Sequence, residues 1–219
     1  MRVLLHVCCG PCSIATVRML REEGHEVTAL FLNPNIHPVQ EYLRRREAMQ
    51  EVSRRLDLPV IWRDAEYDPA AWMRQMAWRE QPGVRCRVCY ATRLERTHAI
   101  AARGGYDAFT TSLLYSRRQR HDMIAEVGHG IAADCSNGAD GSVPFLYRDF
   151  RTGWQEGIDT SREWGIHRQN YCGCLYSEAE RFARDFAKVT GVQEERGSAP
   201  HPARGPRPLD PVSGDDSPK

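Results

Sequence analysis

Seven of the eight cysteines in this 219-residue chain lie in three short groups that are far apart in the sequence. The groups are Cys8-Cys9-Gly10-Pro11-Cys12, Cys86-Arg87-Val88-Cys89 and Cys172-Gly173-Cys174. Thiols this close in sequence compete for the same space unless a metal, a cluster or a disulfide holds them. Because the gaps between the groups are long, only folding can bring them together. The chain must therefore adopt a fold in which three remote segments meet at one site.

The composition is that of a soluble globular protein, with 41% hydrophobic and 27% charged residues. Residues 1–192 are predicted to form a single catalytic domain. Residues 193–219, which contain six prolines and almost no large apolar side chain, are predicted to be a disordered tail. The net charge of +1 gives no global argument for nucleic-acid binding, although nearly all the basic residues are arginine.

No segment resembles a targeting signal or a membrane span. The apolar stretch Val3–Val7 is too short for either and contains His6. We therefore expect a cytoplasmic protein without membrane contact. In a reducing compartment, close cysteine pairs indicate metal binding or redox catalysis more often than structural disulfides.

Strand and helix patterns alternate in the first half of the chain, which predicts an α/β fold with a parallel sheet flanked by helices. Strands are predicted over Val3–Val7, Val27–Leu32, Pro59–Trp62, Ala108–Leu113 and Val143–Phe150. Helices are predicted over Ser13–Glu23, Val39–Leu56, Asp68–Trp78, Cys89–Arg103, His121–Ala133 and Ser177–Thr190, so the C-terminal part is mainly helical. Ligands of open parallel sheets bind outside the carboxyl ends of the strands. The first cysteine group stands at that end of the first strand, before a helix N-terminus that favours thiolates.

Several kinds of site would explain the cysteines. Cys86 and Cys89 could chelate a metal or cluster, or form a redox pair. A disulfide between the adjacent Cys8 and Cys9 would be strained, so ligation explains them better. Four thiolates from these two motifs would satisfy an iron–sulfur cluster or a structural zinc. The three further thiols of Cys12, Cys172 and Cys174 exceed what a closed zinc site needs. They could hold a second metal, or Cys172 and Cys174 could form a reversible disulfide, and the surplus favours a redox metal centre.

The motifs also resemble a known family, the epoxyqueuosine reductases of the QueH type. The resemblance extends from about Val3 to Arg184. It rests on Leu5–Ser13, Asn33–Ile36, Glu41-Tyr42, Arg85-Cys86 with Cys89-Tyr90, Arg93–Glu95, Thr110–Leu114, Asp149–Arg151, Arg168–Cys174 and Tyr176-Ser177.

This resemblance implies a cobalamin-independent oxidoreductase with a nucleotide-hydrolase-like (HUP or PP-loop-like) architecture. Its reaction would be iron–sulfur-dependent reduction of epoxyqueuosine to queuosine at the wobble position of tRNA, with electrons from an external donor. Cys8, Cys9, Cys86 and Cys89 would ligate a [4Fe-4S] cluster. Cys172 and Cys174 would be a redox-active pair or ligands of an additional mononuclear iron. Some relatives carry aspartate at the position of Cys12, which favours metal ligation there, so we expect Cys12 to complete the second set.

Other site residues follow from their place beside these motifs. Candidate proton donors are Asp149, Tyr171 and, less favoured, His6. Candidate RNA contacts are Arg117, Arg118, Arg168 and Tyr115. The run Arg44-Arg45-Arg46 is equally consistent with an RNA contact and with a solvated helix face.

Three rival functions make different demands on the sequence. An ATP-dependent tRNA-thiolating enzyme needs a Ser-Gly-Gly-x-Asp-Ser loop where this chain has Cys-Cys-Gly-Pro-Cys-Ser. A zinc-stabilised RNA-binding module would be colourless and stable in oxygen. A thiol–disulfide oxidoreductase would act without metal. The surplus of grouped cysteines disfavours the last two.

Overall fold

A computed structural model describes residues 1–135 and 143–192 of the chain. Met1–Phe182 form one compact unit. In the second unit, which begins at Ala183, the described part is the end of a helix and two residues after it. The predicted disordered tail, 193–219, lies outside the described residues, and the domain boundary at 192 stays a prediction.

The sheet has four parallel strands in the order β3-β2-β1-β4, which confirms the predicted α/β class. The strands are β1 (Arg2–Val7), β2 (Glu26–Phe31), β3 (Val60–Trp62) and β4 (Ala108–Thr111). Strand β1 is central, and its Leu4 pairs with Thr28 of β2 and Phe109 of β4. Residues Val3–Val7 are buried without alternation, as expected of a parallel strand covered on both faces.

Seven α-helices accompany the sheet within the described residues. They are α1 (Gly10–Glu22), α2 (Val39–Arg55), α3 (Pro69–Met76), α4 (Val84–Gly104), α5 (His121–Cys135), α6 (Trp154–Glu163) and α7 (Leu175–Thr190). Helix α1 packs against α2 and α6, and α4 packs against α5. None of the described helices is both long and apolar enough to cross a membrane.

The segment after α5 departs from the prediction. The strand predicted at Val143–Phe150 is wrong, because only Phe145 forms a bridge, to Phe109. Phe109 N–H donates to Pro144 O at 3.1 Å and Leu146 N–H donates to Phe109 O at 2.8 Å. Strand β4 ends two residues later at Thr111, which leaves no ladder to extend, and a short 3-10 helix, Ser112–Tyr115, follows. Helix α6 was not predicted at all.

The strand order determines where a ligand can bind. Strand β1 has its sequence neighbour β2 on one side and β4 on the other, so the connections diverge from the carboxyl end of β1. Such a divergence leaves a crevice outside the strand ends. Cys8 follows β1 and Ser112 follows β4, and Cys8 N–H donates to Ser112 Oγ at 3.4 Å. The first cysteine group therefore stands at this crevice.

Candidate functional site

Three buried thiols converge at the start of α1. The Sγ atoms of Cys8, Cys9 and Cys12 all lie within 4.8 Å of one another. Among the described residues, no other group of three or more His, Cys, Asp or Glu side chains is as close. Gly10 allows this turn to approach α2, since a Cβ at residue 10 would lie 2.6 Å from Ala48 O.

The three thiols do not ionise alike. The pKa of Cys8 is well below its usual value because of hydrogen bonding with the Cys12 and Cys9 thiols, and Arg45 adds a smaller effect. Burial raises the pKa of Cys9, and hydrogen bonding to Cys8 raises that of Cys12. The amide nitrogen of Gln169 donates to Cys9 Sγ at 2.8 Å and to Cys12 Sγ at 3.2 Å. Cys8 is therefore the thiol of this cluster that ionises most readily, and ligation by all three sulfurs requires an electropositive centre that favours loss of the other protons.

A buried arginine holds the third cysteine group in place. Arg45 Nη1 donates to Cys172 O at 3.0 Å and Nη2 donates to Tyr171 O at 2.9 Å. Its Nε donates to Glu41 Oε1 at 2.7 Å, and His167 Nε2 lies 3.0 Å from Glu41 Oε2. The side chain of Arg45 is 1% exposed, so this fork is part of the core rather than an RNA contact or a solvated face.

The backbone of the third group has one conformation that suits glycine. Gly173 has a φ of +127°, a region that residues with a Cβ rarely adopt. Its carbonyl accepts from His37 N–H at 2.7 Å, and a Cβ would lie 3.0 Å from Ile36 Cγ1. The loop is thus fixed by its main chain and leaves its two cysteine side chains available for chemistry.

Cys172 and Cys174 are free thiols, with Sγ atoms 4.0 Å apart. A disulfide bond is about 2.05 Å long, so the expected disulfide is not formed in this structure. A hydrogen bond from Cys174 lowers the pKa of Cys172 to about 5, with Ser177 and Arg93 contributing less. The same hydrogen bond, followed by burial, raises the pKa of Cys174. At neutral pH the pair therefore favours a thiolate at Cys172.

The middle group lies on the first turns of α4 beside another buried arginine. Burial raises the pKa of Cys89 to about 11, against the effect of Arg93. Arg93 Nη2 donates to Cys89 Sγ at 3.1 Å and Nε donates to Cys89 O at 3.0 Å. Arg85, one residue before Cys86, pairs with Glu180 of α7 and lies over the Tyr176 ring at 5.5 Å. Helix α4 is thus joined to the segment that carries Cys174.

Arg93 shows that the three groups meet. Burial alone would lower its pKa, but the charges of Cys89, Cys8 and Cys172, one from each group, keep it above the usual value. The expected quartet Cys8, Cys9, Cys86 and Cys89 is not gathered as tightly as the triad of the first group.

The donor set fits an anionic metal–sulfur group. Arg93 is buried and forms no salt bridge with a carboxylate in residues 1–135 or 143–192. A buried guanidinium without a counter-charge is costly, and the groups around it that can become anions are thiols, Cys89, Cys8 and Cys172 among them. All the candidate ligands are sulfur, which suits iron–sulfur clusters and zinc.

A cavity of about 260 Å³ opens above these thiols. Cys8, Cys12 and Cys172 contribute to its wall. The other lining side chains are apolar or aromatic (Leu113, Tyr115, Trp154, Ile158 and Tyr171), basic (Arg118, Arg168 and Arg181) or uncharged and polar, such as Gln169. The cavity suits a flat, partly apolar ligand, which would lie against the aromatic side chains with the thiols on one wall.

The predicted RNA contacts differ in their exposure to solvent. Arg117, Arg118 and Arg168 are exposed, and none has a salt bridge to a carboxylate in the described part of the chain. Twelve other arginines in the described residues do have such a partner, as Arg87 has in Glu126. Tyr115 is 3% exposed and its hydroxyl donates to Trp154 O at 2.8 Å.

The candidate proton donors have different surroundings. Tyr171 lines the cavity, its hydroxyl donates to His37 O at 2.5 Å, and burial raises its pKa to about 12. Asp149 is not among the lining residues, and bonding to Arg151 lowers its pKa to about 2, so it is ionised. It caps the 3-10 helix Phe150–Gly153. Burial lowers the pKa of His6 to about 4, so its ring is neutral, and it bonds to Thr111 Oγ1 and Leu32 O.

Arg45, Arg93 and Trp154 are site residues that the sequence did not single out for these roles. The two arginines stand among charged helical residues, and no local pattern separates a buried arginine from a solvated one. Trp154 starts the helix that was not predicted.

Comparison with known proteins gives consistent matches. A family model described as epoxyqueuosine reductase QueH matches residues 3–180, a range that contains all three cysteine groups. An epoxyqueuosine reductase QueH of Thermotoga maritima is 37% identical over 187 residues, covering 82% of this chain and 91% of that protein. Its counterpart in Dehalococcoides mccartyi is 33% identical over 183 residues, covering 84% and 96%. A Haemophilus influenzae protein of the same name is 34% identical over 200 residues, covering 88% and 77%.

Proposed function

The chain belongs to the epoxyqueuosine reductase QueH family, and we propose that it reduces the epoxide of epoxyqueuosine at the wobble position of tRNA to give queuosine. The observation that carries the proposal is the cavity lined by Cys8, Cys12 and Cys172 together with Arg118 and Arg168, which have no carboxylate partner among the described residues. Reduction of one base within an RNA requires sulfur ligands inside the cavity and phosphate-binding groups outside it.

The cysteines divide into two proposed ligand sets. Cys8, Cys9, Cys86 and Cys89 would hold a [4Fe-4S] cluster, and Cys12, Cys172 and Cys174 would hold a further metal ion, for which mononuclear iron is the expected occupant. When bound, the cluster supplies electrons one at a time and the further ion acts as a Lewis acid. Each proposed set contains one cysteine whose pKa is lowered, Cys8 in the first and Cys172 in the second, and this favours the thiolate form that binds metal.

The reaction removes one oxygen as water and consumes two electrons and two protons. The electrons come from an external donor in the cytoplasm. Tyr171 is the proposed proton donor inside the cavity, since a phenol with a pKa of about 12 can still protonate an alkoxide, which is more basic. Asp149 was proposed for the same role, but its ionised carboxylate beside Arg151 offers no proton at neutral pH.

Arg45 and Gln169 keep the thiols in position during the reaction. Arg45 fixes the main chain at Tyr171 and Cys172, so the proton donor and one ligand move as one unit. Gln169 directs an amide N–H at Cys9 and Cys12 and thereby stabilises their ionised forms.

The test begins with protein purified without oxygen. We expect about four or five irons per chain with matching acid-labile sulfide, and conversion of epoxyqueuosine to queuosine in tRNA once a reductant is added. Cys172→Ala should abolish turnover while keeping most of the cluster absorption. Cys135→Ala, outside the three groups, is the control and should retain activity. About one zinc per chain without sulfide, or full activity of Cys172→Ala, would overturn the assignment.

A further inference from the structure

Three planar groups lie together beside the cavity, and two of them, Tyr115 and Trp154, line it. The Trp154 ring lies 5.2 Å from the Tyr115 ring at an interplanar angle of 28°. The guanidinium carbon of Arg117 lies 5.6 Å from the centroid of the same indole. Tyr115 is buried and Arg117 is exposed, so the indole has one neighbour in the protein interior and one neighbour that faces solvent.

The protein side of this stack is held rigidly. Tyr115 ends the 3-10 helix after β4, and Trp154 begins α6. The Tyr115 hydroxyl donates to Trp154 O at 2.8 Å, which ties the ring to the backbone of its neighbour. Gly157, one turn into α6, leaves the space that this hydroxyl occupies. The orientation of the indole is therefore set before any ligand arrives.

On the solvent side of the stack, two side-chain groups have no hydrogen-bond or carboxylate partner among the described residues. Trp154 is half-buried and lines the cavity, and its indole N–H donates to no atom within residues 1–135 and 143–192. Arg117 has no carboxylate partner among those residues. Nucleobases typically stack on an aromatic ring of this kind. The inner face of the ring is packed against the protein, while its N–H group and a nearby cation remain available to the ligand.

We propose that Trp154 is the stacking surface for the modified nucleobase. The base packs against the solvent-side face of the indole, and Arg117 moves from that face to a neighbouring phosphate. The cavity of about 260 Å³ is close to the lower limit of small-ligand sites, so it admits one extruded base rather than a folded loop. This inference rests on the proposed function, because it assumes that the ligand is a nucleotide of tRNA.

The experiment compares Trp154→Ala and Trp154→Phe with a matched control. The control is Trp164→Ala, since Trp164 carries a similar contact with Arg55 at 4.9 Å and does not line the cavity. Base stacking removed by alanine corresponds to a rise in KM of about tenfold or more. We expect that rise for Trp154→Ala at nearly unchanged kcat, a change below about threefold for Trp154→Phe, and none for Trp164→Ala. Iron and sulfide content should be the same in all.

The outcomes separate this inference from the proposed function. A wild-type protein that does not reduce epoxyqueuosine in tRNA would refute both. An active wild type with a Trp154→Ala variant whose KM is within about twofold of it would refute the stacking role alone. Should the alanine variant lose its fold, Trp154→Leu keeps apolar packing without an aromatic face. The leucine variant should show the same rise in KM, and a normal KM would overturn the inference.

Discussion

Replacing Arg45 by methionine tests the buried fork that fixes the third cysteine group. The substitution keeps a long apolar stem but removes the guanidinium, which donates to Glu41, Cys172 O and Tyr171 O. Glu41 would remain buried with only the His167 ring as a side-chain partner, and two carbonyls would lose their donor.

The expected cost is large compared with the total stability of a domain. Removing one member of a buried ion pair costs about 3–5 kcal/mol, against about 5–15 kcal/mol for the stability of a whole domain. We therefore expect Arg45→Met to lower the free energy of unfolding by about 3–5 kcal/mol. Glu41→Gln keeps a neutral acceptor for Arg45 and should cost about 1–3 kcal/mol.

A double-mutant cycle provides the decisive measurement. Urea unfolding of the wild type, both single variants and Arg45→Met/Glu41→Gln, followed by circular dichroism, gives the coupling energy. We expect the double variant to cost less than the sum of the single variants by about 1–3 kcal/mol, because it leaves no unpaired buried charge. A loss below about 1 kcal/mol for Arg45→Met, or single effects that add within about 0.5 kcal/mol, would refute the reasoning.

Three further predictions concern the loop, the cap and the rim. Gly173→Ala should lower the melting temperature more than Gly165→Ala. Both glycines have a positive φ, but only at residue 173 would the new Cβ lie against Ile36 and Arg45. Equal shifts in melting temperature would contradict this steric argument. Arg151→Ala should raise the pKa of Asp149 from about 2 towards 3.8, as followed by carbon NMR of the carboxyl group. Since the folded-state pKa is depressed, the stability gained from this carboxylate is present above pH 3.8 and is lost as the pH falls towards 2, so the stability difference between the two proteins should shrink over that range. Arg117→Glu with Arg118→Glu should weaken tRNA binding and reduce the slope of log binding constant against log salt concentration by about one to two units. The control is Arg74→Glu with Arg103→Glu, the same charge change away from the cavity, which should leave both unchanged. An unchanged slope in the first variant would count against a phosphate contact.

The sheet could be predicted because its strands have a local signal. Continuous apolar runs such as Val3–Val7 mark buried parallel strands, and the alternation with helices determines their direction. Helix α6 gave no such signal, since two of its buried positions are Gly157 and Ser161. The apolar segment near Phe145 looked like a strand, but pairing depends on a partner, and β4 is too short to provide more than one bridge.

The candidate metal ligands of the site could be predicted from the sequence, but the residues that hold those ligands in position could not. Cysteine spacing identifies thiols that must be held together, whatever the fold. Arg45 stands between two other arginines and is distinguished from them only by carbonyls that come from residues 171 and 172. Tyr115 was chosen as the aromatic RNA contact because it is close to Arg117 in sequence, whereas the partly exposed ring of the stack is Trp154, on a different helix. Contacts between distant segments carry no mark in the local sequence.

The fork of Arg45 binds main-chain carbonyls and contacts no sulfur of the third group. Its hydrogen bonds to residues 171 and 172 therefore do not depend on the side chain at position 172, while at position 171 the tyrosine ring adds a contact with the guanidinium at 5.5 Å. Aspartate or histidine could replace Cys172 on the same scaffold, so the donor atoms of the second ligand set can vary while the loop keeps its place. A fold built this way allows metal preference to diverge among related proteins, or to be redesigned in this one, one side chain at a time.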